Sequence, residues 1–332
     1  MDNDTSTTYY DVLIEDDFTE DLRPQCHKHD DKAFEAQVLP VFYTVIFLLG
    51  LGANGFLALI LIKYKQLREL VDVFFLNMTI ANFLFLFTFP FWIYTAKHSW
   101  DLGDPICRLI SGVYSVGFYG YTCFLVLSII HRYMAVVHVG RFHIATRKTA
   151  YSIIAGMWGL ALLASLPEFI LFQVQMEGSN YICHFVQPHY LPGEEKSWSH
   201  FLALKMNILG FLIPVSIAIF CFWRIKKTSR YKEKKYEILR FIFVKSLVFM
   251  GLWTPYNLVL FLRTFREQLN LNDCENSYQL DRAAQITKII ANTYCCINPV
   301  VYELLHFTFY KCLYCPFHPQ NNAEGHLRER PI

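Results

Sequence analysis

Ionisable and helix-breaking side chains set inside long apolar runs are the residues of this sequence that could do chemistry. Arg132-Tyr133 closes one such run, Lys245 lies ten residues before Pro255, and Lys288 lies eleven before Pro299. Asn54, Asn77 and Asn82 are similarly embedded, as are Trp253-Thr254-Pro255-Tyr256 and Asn298-Pro299-Val300-Val301-Tyr302. A charge or an amide in apolar surroundings is costly unless a partner or a ligand meets it, so these residues point to pairing between helices and to ligand binding. They do not point to catalysis. No nucleophile–base constellation and no cluster of metal ligands stands at comparable depth, and the chain reads as neither an enzyme nor the holder of a cofactor or metal ion.

The elements that must position these residues are membrane-spanning helices. The 332 residues are 54% hydrophobic and only 17% charged, too apolar for a soluble surface. A bilayer core about 30 Å thick needs roughly 20 mostly apolar residues per helix. Seven windows meet that need, at 38–64, 74–95, 106–137, 150–172, 201–223, 238–265 and 285–305. The expected fold is an all-α, seven-transmembrane helix bundle over residues 38–305, preceded by an acidic extracellular tail (1–37) and followed by a short cytoplasmic helix and tail (306–332). Neither repeated halves nor a pair of broken helices appears, which argues against a transporter or channel. Membrane lipid is the implied surrounding, and no nucleic-acid partner is implied.

A net charge of only +2 hides a strong asymmetry. Ten acidic residues from Asp2 to Asp31 face only Arg23 and Lys28 in the first stretch, whereas basic residues gather in alternate loops. These are Lys63, Lys65 and Arg68; Arg141, Arg147 and Lys148; and the run from Arg224 to Lys235. The positive-inside rule makes those loops cytoplasmic and the N-terminus extracellular. Residues 1–35 show no positive segment followed by an apolar core, so the first helix is expected to act as the signal anchor.

On that topology Cys26, Cys107, Cys183 and Cys274 fall on the oxidising side, where disulfides persist. The expected pairs are Cys107 with Cys183, pinning the second outer loop over a pocket, and Cys26 with Cys274, closing the tail onto the last outer loop. Cys123, Cys221, Cys295 and Cys296 lie within helices and are expected to pack. Cys312 and Cys315 follow the last helix, where palmitoylation is one reading and plain thiols the other. Asn3-Asp4-Thr5 is a glycosylation sequon in the outer tail. Asn77-Met78-Thr79 matches the same pattern but sits at membrane depth, beyond reach of the transferase.

Gly52-Ala53-Asn54, Leu76-Asn77, Arg132-Tyr133, Trp158, Pro214, the Trp253-to-Tyr256 motif and the Asn298-to-Tyr302 motif stand in order across the seven windows. In that order they resemble the rhodopsin-like G-protein-coupled receptors. Thr88-Phe89-Pro90, Phe91-Trp92 and Tyr294-Cys295-Cys296-Ile297-Asn298-Pro299 are similar to the chemokine receptors, as is the set of four outer cysteines. Tyr10-Asp11-Val12-Leu13-Ile14-Glu15, Leu166-Pro167-Glu168-Phe169, the segment from Phe201 to Ile208 and Ser277-Tyr278-Gln279-Leu280-Asp281 resemble an atypical branch of the C-C chemokine receptors.

Against the pattern implied by that resemblance, four positions depart. His131 stands where an acid normally precedes Arg132, and an imidazole cannot hold the guanidinium as a carboxylate does. Asn82 stands where an Asp contributes to an inner sodium site, removing the formal charge that a hard cation needs. Phe222 replaces a Tyr near the end of the fifth helix, and Lys245 places an ammonium in the inner half of the sixth. Arg132, Tyr133, Asn298, Pro299 and Tyr302 are retained. Together the departures imply impaired G-protein coupling in a receptor that still packs as one.

The resemblance also implies a ligand set. Tyr9, Tyr10 and Asp11, with acids behind them, form a tail that can be sulfated and that captures basic proteins by electrostatic steering. Below it, Tyr43, Trp92, Tyr114, Trp253, Tyr256, Arg263 and Lys288 are the expected pocket residues. Lys288 occupies a position where the family usually carries a Glu, so this pocket favours an anionic ligand group over an ammonium. The implied ligand is chemerin, with chemokines second. The implied role is a plasma-membrane receptor that captures, presents or internalises ligand and recycles through endosomes in immune and inflammatory responses. Arrestin or other receptors are its implied partners. The alternative is a conventional chemokine receptor that couples to an inhibitory G protein and drives chemotaxis.

Overall fold

The computed structural model describes residues 28–67, 69–137, 147–177, 180–188, 192, 194–228 and 232–306. Ten helices fill most of this length: α1 (Lys28–Leu59), α2 (Leu70–Phe87), α3 (Phe89–Thr95), α4 (Asp104–Val137), α5 (Arg147–Leu171), α6 (Glu195–Asn207), α7 (Ile213–Lys227), α8 (Lys232–Thr264), α9 (Cys274–Asn292) and α10 (Tyr294–His306). After α5 comes an antiparallel hairpin of β1 (Phe172–Glu177) and β2 (Asn180–Phe185), an element the sequence reading did not anticipate.

Seven spans become ten helices because three of them break. Thr88 ends α2 and turns its hydroxyl back onto the Phe85 carbonyl at 2.8 Å. Pro90, which has no N–H to donate, then sits in the first turn of α3. A π-helical turn, Ile208–Leu212, joins α6 to α7 just before Pro214, a wide turn of the kind that accommodates a missing donor. In the last span α9 meets α10 at Thr293, whose hydroxyl donates to the Ile290 carbonyl at 2.6 Å.

Among the described residues six spans are long and apolar enough to cross a membrane: Ala36–Tyr64, Leu70–Thr95, Asp104–Val137, Thr149–Leu171, Glu195–Lys227 and Leu239–Thr264. The seventh, α9 with α10, does not qualify on composition because α9 carries Asp281, Arg282, Gln285 and Lys288. It lies between α8 and α1, so polar residues can face the bundle interior rather than lipid. The outward residues have the opposite character: Leu48, Leu49, Leu163 and Leu247 are all exposed, as lipid-facing side chains must be.

The interior is built from Phe74, Phe75, Phe124, Phe249 and Tyr302 and the residues packed on them. At its centre α4 touches α2 backbone to backbone. A Cβ on Gly117 would lie 2.7 Å from the Phe85 nitrogen and 2.8 Å from the Ala81 oxygen, so only glycine fits there. Asn77 ties the next helix in: Trp158 Nε1 donates to its Oδ1 at 2.9 Å, and its own Nδ2 donates to the Val73 carbonyl at 2.8 Å. Its side chain is thus buried structure.

Candidate ligand-binding cavity

The hairpin forms the roof of one end of the bundle. Cys183 of β2 is disulfide-bonded to Cys107 of α4, with a Cα–Cα distance of 5.6 Å. Asp104 accepts from the Val174 N–H at 2.8 Å, and the Trp100 N–H donates to the Tyr181 carbonyl at 2.7 Å. Cys274, at the start of α9, is also disulfide-bonded, while Cys26 lies outside the described residues. Peptide mapping under non-reducing conditions is expected to recover Cys107 linked to Cys183 and Cys26 linked to Cys274, and a Cys26–Cys183 peptide would contradict this.

Beneath the roof is a cavity of about 930 Å³, the size of a pocket that accepts a peptide terminus or a drug-sized group. Trp92, Tyr114, Tyr256, Arg263 and Lys288 all line it. Tyr43 and Trp253 do not: Tyr43 is buried against Phe89, with ring centroids 5.1 Å apart, and Trp253 lies deeper, 4.6 Å from Phe118. Tyr9, Tyr10, Asp11 and Asn3 lie outside the described residues, as do Cys312 and Cys315.

Lys288 Nζ stands 5.4 Å from the centroid of the Tyr114 ring, a cation–π arrangement. Glu267, an acid lining the same cavity, takes the ammonium of Lys196. That hydrogen bond holds the exposed Glu267 carboxyl below its usual range. Arg263 Nε donates to Asp281 Oδ1 at 2.5 Å, bracing α8 against α9 at the cavity mouth.

One charged pair was missed from the sequence. Lys205 of α6 donates to both carboxylate oxygens of Glu168 at 2.6 Å and to the Ala164 carbonyl at 2.8 Å. Glu168 lines the cavity and Lys205 is buried behind it. The cavity therefore carries a carboxylate on its α5 side that is paired with Lys205, and the ammonium of Lys288 on its α9 side. An intramembrane Glu and an intramembrane Lys in consecutive spans were the available signal, since each is costly without the other.

The chain matches the family model of the 7 transmembrane receptors (rhodopsin family) over residues 53–302. It is 40% identical over 333 residues to the Chemokine C-C motif receptor-like 2 of Sus scrofa, and equally to the C-C chemokine receptor-like 2 of Homo sapiens. Each alignment spans 97% of this chain and 95% of the relative. The chain belongs to the chemokine receptor family. The C-C chemokine receptor type 1 of Homo sapiens is 38% identical over 323 residues, 96% of this chain and 89% of that receptor. Family membership makes the protein a cell-surface, multi-pass receptor and not an enzyme.

At the end of the receptor opposite the hairpin, two lysines grip the Asn298-to-Tyr302 motif. Lys245 of α8, 1% exposed, donates to the Asn298 carbonyl at 3.1 Å and to Asn298 Oδ1. Its ammonium also faces the Phe75 and Phe241 rings, at 5.4 and 6.0 Å. Lys65, in the loop between α1 and α2, donates to the Tyr302 hydroxyl at 2.7 Å and pairs with Asp72 at 3.4 Å. Tyr302 donates in turn to Asp72 Oδ1 at 3.3 Å. The Arg132 guanidinium lies 3.8 Å from the centre of the Phe241 ring, while His131 meets Phe74 edge-on at 5.8 Å. Phe222 packs against Phe243, 6.0 Å between centroids. Asn82 Nδ2 donates to Asn54 Oδ1 at 2.8 Å.

Proposed function

We propose that this receptor captures a chemoattractant protein at the cell surface, chemerin first and chemokines second, and presents or internalises it with little or no G-protein activation. The hairpin end faces outward and the acidic tail makes the first encounter. The observation that carries this reading is the double lysine grip on Asn298 and Tyr302. A receptor signals by repacking its helices at the end away from the ligand, and here α8 cannot part from α10 without stranding the Lys245 ammonium in an apolar core. Tyr302, held between Lys65 and Asp72, ties the same helix to the α1–α2 loop. Arrestin and partner receptors are the cellular contacts consistent with capture and recycling.

A conventional receptor coupled to an inhibitory G protein is the second reading, favoured by the retained Arg132, Tyr133, Pro255 and Asn298-Pro299. Cells expressing only this receptor separate the two. Labelled chemerin is expected to bind them without lowering cyclic AMP. A robust, pertussis-toxin-sensitive fall at saturating ligand would refute the proposal.

A further inference from the structure

A second, much smaller cavity of about 20 Å³ lies below the ligand cavity, between α2, α4, α8 and the join of α9 and α10. Two of its lining groups, Trp253 Nε1 and Asn292 Nδ2, are buried and have no hydrogen-bond partner among the described residues. Trp253 is 4% exposed and Asn292 1%. Both orphaned atoms are donors. Several neighbouring acceptors already receive neutral donors, and the one side-chain amide oxygen left facing the space, on Asn82, carries no formal charge. Asn54 Oδ1 accepts from Asn82, and the Cys295 carbonyl accepts from Asn54 at 2.9 Å. Asn292 Oδ1 accepts from Tyr114 at 3.2 Å, and the Tyr121 hydroxyl donates to that of Tyr294 at 2.7 Å. No carboxylate lines the space.

This is where the family resemblance implies a sodium ion, and the residues present do not fit one. A cation needs oxygen lone pairs and a compensating charge, whereas this cavity offers two N–H groups looking for an acceptor. We propose that it is instead a site for one neutral hydrogen-bond acceptor, a single water, bridging Trp253 of α8 to Asn292 of α9 and excluding sodium. Its volume exceeds the roughly 10–15 Å³ that one water requires. A water also tolerates either orientation of the Asn292 amide, because it both donates and accepts.

The test uses the full-length receptor in detergent, melted at equal ionic strength in sodium chloride, potassium chloride, choline chloride and sodium gluconate. One common midpoint is expected. A saturable rise specific to sodium, or one specific to chloride, would overturn the proposal. Asn82→Asp adds the missing charge and should melt higher in sodium than in potassium. A folded variant that gains no sodium response would overturn the claim that charge is what excludes the ion. Should that variant fail to fold, an electron cryo-microscopy map fine enough to show waters decides. A single peak within hydrogen-bond reach of Trp253 Nε1 and Asn292, present in both sodium- and potassium-prepared receptor, is the expected result. No peak, or one confined to the sodium sample, contradicts it.

Discussion

Replacing Asn298 with Ala is expected to remove most of the folded receptor from the cell surface, and adding Lys245→Met to the same chain is expected to restore it. Asn298→Ala deletes the side-chain oxygen that accepts from Lys245, leaving a 1%-exposed ammonium with the backbone carbonyl alone. A hydrogen bond to a charged group contributes roughly 1.5–3 kcal/mol, and stranding the charge adds desolvation to that. Such a loss is a large part of the 5–15 kcal/mol that typically separates folded from unfolded chains. Met fills the same unbranched volume without the charge, so the double variant should be more stable than Asn298→Ala alone. Surface staining and thermal melting of the two single variants and the double variant measure the coupling. Additive effects would show that Lys245 and Asn298 do not act as a pair. The same logic predicts that Lys245→Met with Lys65→Met loosens α10 and admits ligand-stimulated nucleotide exchange. His131→Asp alone should not, because both lysine grips remain.

The second large effect concerns the cavity. Lys288→Glu is expected to weaken binding of native chemerin at least tenfold, about 1.4 kcal/mol, and to weaken a C-terminally amidated ligand less. Lys288 Nζ lies over the Tyr114 ring within a cavity that also holds Trp92 and Tyr256. An ammonium there suits a ligand carboxylate flanked by aromatic groups and repels a ligand ammonium. Glu267, which lines the same cavity, is engaged by Lys196. If the variant reaches the surface and binds both ligand forms as the native receptor does, recognition lies in the acidic tail instead.

Much of this architecture could be read from apolar run length, because lipid demands a fixed span and punishes stray polarity. All seven windows were read on that ground, although the seventh, α9 with α10, is too polar to stand as a span by composition among the described residues, because α9 keeps polar residues that a buried face can satisfy. The hairpin escaped notice because Phe172–Glu177 and Asn180–Phe185 are short and mixed in pattern. Of the expected pocket, Trp92, Tyr114, Tyr256, Arg263 and Lys288 converge, whereas Tyr43 and Trp253 turn to neighbouring rings. Lys245 stood out as costly, but its partner did not, because a charge at depth says that something must meet it and not what. Glu168 and Lys205 were both visible as letters, 37 residues apart. Only the fold, which brings the Lys205 ammonium of α6 to the Glu168 carboxylate of α5, makes them a pair. Lys65 likewise read as a loop charge until the fold brought it to Tyr302.

In the proposed role, ligand occupancy and G-protein activation are uncoupled. Nucleotide exchange on a purified inhibitory G protein, measured in membranes containing the receptor while bound labelled chemerin is counted in the same sample, separates that role from a signalling one. Saturable binding with exchange no faster than in receptor-free membranes is the predicted result. Exchange that rises in step with occupancy would contradict it.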